Sequence, residues 1–406
     1  MKKYLGVVLS SLVILWGTGC TKTEVEKIYQ TSTDTVTQQK LPEYVITDYG
    51  AVADGVTDCG AVINKIINIL PPSGGTIIIP EGDFLVNTTI NLNKSFITIS
   101  GLNPGERSGV DVPVNGVTPP GGGSKLILGS ASAVITVPVL PDVNGAKNRV
   151  SGLEISNLVV SGGTTSHGIG INILQDNDHI LINNVIGINL TTGIYANAAD
   201  DMVINSCWVS ECTNSISMPN GIQNTISDCQ LGAQPTGITV NLTNQVNFNF
   251  TGNQVYPDGS VNLQINNSQY VNVSSNNFQS YYVGMIELNS SDDNLISSNI
   301  FQMDMPSDTS KQLRGNVNTY GVLRFSSGNN NLVSDNSITC NWVNPNDNPV
   351  TIRSIGGTGN TYNGLNITDT KSSCVFYVSG ACNIFNSVPA SNVYIDGSTA
   401  NINIQY

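Results

Sequence analysis

From residue 151 onward the chain keeps returning to one short phrase: an aliphatic residue, two small polar residues, then a fourth position followed by another apolar side chain. It reads INNV ending at Val185, INSC at Cys207, ISDC at Cys229, FTGN at Asn253, VSSN at Asn276, ISSN at Asn299 and VSDN at Asn336. The fourth positions stand 22, 22, 24, 23, 23 and 37 residues apart. A period in the low twenties, with Val/Ile alternation and Asn/Gly turns, marks a solenoid whose coils are short strands. The 37-residue step places an insertion near 302–320, a loop on one face.

Stacking physics sharpens this reading. Equivalent residues on adjacent coils lie about 4.8 Å apart, so like sits on like. Asn253, Asn276, Asn299 and Asn336 are therefore expected to form an internal amide ladder, each bonding its neighbour and the turn backbone. Cys207 and Cys229 fall in the same column and read as buried thiols acting as small apolar groups. A disulfide between them is geometrically conceivable. The expected fold is all-β, a single-stranded right-handed parallel β-helix.

Composition agrees. Only 11% of residues are charged, against about 25% in ordinary globular domains, and Asn, Ser, Thr and Gly fill the gap. A formal net charge of −13 argues against nucleic acid or an anionic membrane surface as the main partner. Seven cysteines remain besides Cys20, without CxxC spacing, and His167 and His179 are the only histidines. That pattern suggests no zinc site, no full disulfide framework, and neither metal nor cofactor.

The N-terminus reads as a targeting segment. Lys2 and Lys3 precede an apolar run from Leu5 to Trp16, then Gly17, Thr18, Gly19 and Cys20. The run is too short to span a bilayer, and small residues before a cysteine resemble the bacterial lipoprotein signal. The expectation is a signal over 1–20, a lipidated Cys20, a polar tether over 21–41 and a β-helix domain over 42–406. Such a tether places the body in the cell envelope, at the outer membrane or cell surface. Within the body, DCGAVINKIINIL predicts a helix over Asp58 to Leu70, with Asp58 as its N-cap and Pro71 and Pro72 ending it. A short helix followed by GGTIIIPEGDFLV is suited to capping the open end of the core.

The fold alone does not set chemistry. A groove lined by Asn, Ser, Thr and Tyr suits neutral glycans, whose hydroxyls need donors and acceptors. The segments GAVINKIINIL, TIIIPEGDF, the run from Asn177 to Met218, LGAQPTGITV, NNFQSYYVGMIEL, RGN from Arg314 and YGVLRFSSGNNNLVSDN resemble the inulin fructotransferase family. That is glycoside hydrolase family 91, whose members form or open difructose anhydrides within the pectate-lyase-like β-helix superfamily. The resemblance runs from about residue 58 to 345 and is ungapped over 177–218. It implies a homotrimer with sites between subunits, and a fructan end as substrate. A fructose hydroxyl would attack the neighbouring anomeric carbon, with an Asp and a Glu sharing the proton transfers.

In the ungapped overlay those two carboxylates fall on Ser206 and Ser217, whose hydroxyls do not ionise near neutral pH. A histidine of the pattern becomes Gln230, an aspartate Thr236 and an arginine Asp258, while His167 falls near a family histidine. Two readings follow. Other acids take over catalysis, with Glu211 and Asp200 (both matching family acids) the first candidates and Asp201, Asp228, Asp258 and Glu287 behind them. Alternatively, the chain binds a fructan or related neutral polysaccharide without turnover. Trp208, Tyr281 and Tyr282 are candidate stacking platforms, with Gln230, Asp258 and Arg314 as further substrate contacts. A pectate-lyase-like lyase or hydrolase, or a structural or adhesive surface β-helix, also stays open.

Overall fold

Residues 41–105, 123–174, 177–281, 284–304, 321–341, 350–369, 374–387, 393–395 and 402–405 are described by the structure, a computed structural model. Segment 1–20 with Cys20, the tether to residue 40, Tyr282, Arg314 and most of the 302–320 insertion lie outside the described residues. Pro42 to Tyr406 form one compact unit.

Each coil lays down three short strands in turn. In one coil these are Asn214–Ile222, Thr225–Ser227 and Gln230–Ala233. The next begins with Ile238–Val246, paired in parallel register with the first, so that Ile216 meets Val240 and Ser217 meets Asn241. Likewise Ile226 meets Phe250, and Leu231 meets Val255. Stacked coil on coil, these strands make three faces of a right-handed parallel β-helix, as the repeat predicts. Within each strand the inward residues form a dry column. Ile194, Ile216, Val240, Leu263 and Ile286 from the first face are buried, as are Ile204, Ile226, Phe250 and Val273 from the second. Each such side chain contributes about 1.5–3 kcal/mol on leaving water. Phe278 and Phe301 of the third face stack with centroids 5.0 Å apart.

The corner between the second and third faces is a single residue in left-handed backbone. Asn184, Ser206, Asp228, Gly252, Ser275, Ser298 and Asp335 occupy it in successive coils, with φ between 52° and 70°. Asn, Asp and Gly are the residues that tolerate this conformation best. Just inside that corner runs the expected ladder. Asn276 Oδ1 accepts from Asn253 N at 2.8 Å and from Asn253 Nδ2 at 3.0 Å. Asn276 Nδ2 in turn donates to Phe250 O and Asn299 Oδ1, both at 2.9 Å. Asn336 continues the pattern across the 37-residue step, accepting from Asn299 N at 2.9 Å. Cys207 and Cys229 stand in the same column as free buried thiols, with no disulfide between them. Cys207 N points at Cys229 Sγ at 3.4 Å, so sulfur fills the acceptor role of the amide.

A second buried ladder lines the corner between the first and second faces. Asn294 Nδ2 donates to Asn331 Oδ1 at 2.8 Å, and Asn331 Nδ2 to Asn360 Oδ1 at 3.0 Å. In an earlier coil Asn224 holds the same column and accepts from Met202 N at 2.9 Å. Beside it runs a second column, in which the Ser268 and Ser291 hydroxyls accept the Gln245 and Ser268 amides at 3.0 and 3.1 Å.

The N-terminal helix is Gly60–Ile69, starting two residues later than Asp58, with Cys59 in the N-cap position. Asp58 still serves the helix start from outside, accepting the Gly60 amide at 3.1 Å together with the Asn87 and Thr88 amides. Burial opposes ionisation of Asp58, yet the Thr88 hydroxyl and these amides outweigh it and hold its carboxyl below the usual range. Ile63, Ile66 and Ile67 are buried in the same core cluster as Ile77 and Phe84 of the first coils.

Candidate functional site

The corner between the third and first faces differs from the other two. Here the connections lengthen: Ala233 to Ile238, Val255 to Val261, Ser280 to Ile286 and Asp304 to Leu323. Loops carried on a rigid wall are where binding and catalytic groups concentrate.

Glu211 sits at this corner on a β-bulge. Strand pairing steps from Val209 with Leu231 to Cys212 with Ala233, so Ser210 and Glu211 together face Gly232. Glu211 takes a left-handed φ of 54° where the preceding coil has Asn189 at 55°. Glutamate is not a residue that favours this conformation, and bulges beside active sites re-aim side chains. Its backbone is pinned from both sides. Ser166 Oγ and Gln234 Nε2 donate to the Glu211 carbonyl at 3.4 and 3.2 Å, and Gln234 Nε2 also donates to Ser166 Oγ at 2.7 Å. Burial, and then the charge of Asp258 on the loop above, raise the Glu211 carboxyl above its ordinary value of 4.5.

The adjoining strip of the third face supplies the flat and polar groups. Trp208 is half-buried, packed outside the core on Val159, Ile186 and Ile188. Gln230 lies one rung on, in register with Trp208. Its Oε1 accepts the Tyr256 hydroxyl. Gly232 makes room for Tyr256, since a Cβ there would stand 3.2 Å from the Tyr256 ring. Burial raises the Tyr256 hydroxyl above its ordinary range. Tyr281 reaches the same corner one coil beyond Asp258 and is 50% exposed.

Other sequence candidates lie elsewhere. Asp200 and Asp201 stand at the first-to-second corner, where Asp201 Oδ2 meets His179 Nδ1 at 2.7 Å. Asp228 is at the second-to-third corner, taking a 3.2 Å hydrogen bond from Asn205 Nδ2. Glu287 is buried on the first face, where Gln264 Nε2 donates to it at 3.1 Å. The ring nitrogens of His167 lie 2.9 and 3.2 Å from the Thr165 and Gly129 carbonyls. Ser206 is exposed at the second-to-third corner, donating to Asn205 Oδ1 at 2.8 Å. Ser217 faces outward from the middle of the first face, opposite that corner across the core. Within one chain the two serines are not brought together. Thr236 is exposed in the loop beside Gln234. Tyr256, Gln234 and Ser166 were missed in the sequence, though Gln234 lies in the LGAQPTGITV segment. Among the described residues no group of three or more His, Cys, Asp or Glu converges as a metal site.

Fold and site together define a pectate-lyase-like right-handed β-helix with an acid-bearing, loop-rich edge. Residues 45–107 match the family described as rhamnogalacturonase A/epimerase, pectate lyase-like. Residues 143–312, the repetitive coils, match the family described as periplasmic copper-binding protein NosD. More particularly, the chain is a homologue of inulin fructotransferase. It is 27% identical over 388 residues to the DFA-I-forming inulin fructotransferase of Arthrobacter globiformis, covering 89% of this chain and 93% of that one. The crystal structure of DFA-IIIase from Arthrobacter chlorophenolicus A6 in complex with GF2 superposes with a TM-score of 0.75 at 25% identity, over 87% of this chain and 96% of that one. The A-module of the mannuronan C-5 epimerase from Azotobacter vinelandii shares the fold alone, at TM-score 0.53 and 12% identity over 87% of this chain and all of the other.

Proposed function

We propose that this protein acts on fructan-type oligosaccharides at the third-to-first corner, by intramolecular fructosyl transfer. The observation that carries the reading is the bulge that turns Glu211 toward Asp258 beside Trp208, Gln230 and Tyr256. A carboxyl whose proton affinity is raised by its surroundings, beside a second carboxyl, is the arrangement that sugar-bond cleavage uses. Glu211 gives its proton to the departing glycosidic oxygen. A hydroxyl of the neighbouring fructose forms the new bond to the anomeric carbon, and its proton passes to Asp258. Trp208 offers an apolar face to a sugar ring, while Gln230 and the Tyr256 hydroxyl hold its hydroxyls. The relatedness to inulin fructotransferase supports the substrate class.

Incubating the full chain in detergent with inulin and with difructose anhydrides, followed by chromatography, tests this directly. A cyclic disaccharide from inulin, or its opening, is the expected result. Glu211→Gln is expected to slow that reaction about 100-fold or more; an unchanged rate would remove Glu211 from the chemistry. Serines at 206 and 217, where the resemblance places two carboxylates, favour a second reading in which the chain binds fructan without converting it. Retarded migration in a fructan-containing gel without products would select that one.

The proposal includes a homotrimer held at the envelope through a lipid on Cys20. The motif GTGC supports the tether. Mass spectrometry of the mature N-terminal peptide should find diacylglyceryl-cysteine, and an unmodified peptide retaining residues 1–19 would exclude it.

A further inference from the structure

We propose that a cleft near the N-terminal end is a second carbohydrate site, which holds a neutral di- or trisaccharide without transforming it. The cleft has a volume of about 440 Å³ and is walled by the end of the helix, the turn before Ile97 and the segment preceding Ser151. That size lies within the roughly 300–1,000 Å³ of small-ligand pockets. Nothing in this inference depends on the acid pair or on the fructan reading.

Phe96 sets the character of the cleft. Its ring lines the cleft and is 53% exposed, and its backbone is left-handed with φ 63°. Its corner column runs through Gly74, Phe96, Gly152, His179, Asp201, Gln223, Asn247 and Tyr270, all at positive φ. Apart from Phe96 and Tyr270 these are glycines or smaller polar residues; a bulky side chain in this conformation is uncommon, and of the two only Phe96 lines the cleft. The following coil gives way to it, since a Cβ at Gly152 would lie 2.9 Å from the Phe96 ring. A glycine thus makes room for an aromatic ring laid open at the mouth of a cavity. Strained positions that their surroundings enforce tend to serve a site.

The rest of the wall identifies the ligand class. Leu70, Pro72, Leu140 and Val150 extend the apolar floor, while Asn93, Ser95 and Asn148 bring amide and hydroxyl groups to it. Two cations line the cleft, and both are engaged. Lys94 Nζ donates to the helix-end carbonyls of Ile67, Asn68 and Leu70 at 2.8, 2.8 and 3.2 Å. Arg149 Nη1 pairs with Asp178 Oδ1 at 3.0 Å. Arg149 is charge-paired and the Lys94 ammonium is turned onto the helix-end carbonyls, so neither is aimed at an anion, and no acid lines the cleft to attract a cation. An aromatic face ringed by amides and hydroxyls matches a sugar, which offers C–H groups on one face and hydroxyls at its rim.

The test uses the full chain with Trp208→Ala to silence the third-face site, and three probes: an inulin-type trisaccharide, maltotriose and cellotriose. Saturation-transfer NMR is expected to show at least one of them bound. Phe96→Asn is the decisive variant, because asparagine accepts the left-handed backbone while removing the ring. It is expected to weaken binding more than tenfold and to leave the melting temperature equal or higher. A Phe96 that merely supported the fold would give the opposite, a lower melting temperature with binding intact, and that result overturns the proposal. So does failure of all three sugars to bind the Trp208→Ala chain.

Discussion

Glu211 shows how one residue acquires a role from its backbone. In the preceding coil Asn189 turns the same corner, and asparagine does so at little cost. Putting a longer acid there projects a carboxyl over the third face, where burial and then Asp258 raise its pKa above 4.5. The sign of the resulting pH dependence follows. A proton-donating Glu211 is competent below its folded pKa, so activity falls as pH rises through that raised value. Removing the neighbouring charge with Asp258→Asn, which also removes the proposed proton acceptor, is expected to lower the Glu211 titration as followed by carboxyl-carbon NMR. A Glu211 titration that stays in place would show that Asp258 does not contribute to the shift. The same shift makes folding slightly less favourable as pH climbs from 4.5 upward, because the native state holds the proton longer. The overlay on family acids made Glu211 legible in the sequence. Its bulge was not, because a register shift belongs to two strands at once. Nor was its setting, since Ser166, Gln234 and Asp258 are brought to Glu211 only by the stacking of coils.

Among the elements, the ladder inside the second-to-third corner was readable because its members occupy one slot of a fixed phrase. The ladder at the first-to-second corner was not, because Phe248 and Val271 interrupt its column between Asn224 and Asn294, and Gln245, Ser268 and Ser291 in the column beside it differ in length and type. Similarly, the periodicity of 58–70 gave the helix, but its first turn is set by Asp58 bonding across to Asn87 and Thr88 of the next coil. The ladders bear weight as hydrogen-bond partners. Asn276→Ala strips acceptors from Asn253 and a donor from Phe250 O, all in a dry interior. Leaving such groups unpaired costs on the order of 3 kcal/mol. A drop in thermal stability of that size is expected, and a loss below about 0.5 kcal/mol would mean that the neighbouring coils re-pair without it. Asn276→Cys is expected to cost less, given that Cys229 Sγ already faces the Cys207 amide in this column.

At the scale of the whole molecule, the position of Ser206 and Ser217 on opposite sides of the core has a geometric consequence. Groups placed there meet only when one chain presents its second-to-third corner to the first face of another. The proposed homotrimer would make that contact, and sedimentation of the detergent-solubilised full chain is expected to give three copies per particle. A single copy at micromolar concentration would rule out that assembly. The solenoid itself was legible almost entirely from the repeat, since stacking imposes the same demand on every coil. The location of the loop-rich edge was not, because the sequence counts residues between coils without saying at which corner they leave the wall.

That wall has a further property. The coil that takes 37 residues to return to its ladder closes it with a 2.9 Å hydrogen bond, and the coils that take 23 close theirs at 2.8 and 2.9 Å. Spacing between rungs is therefore indifferent to how much chain departs at the third-to-first edge. Lineages of this architecture are free to exchange whole surface cassettes there, altering what is recognised while inheriting the same frame.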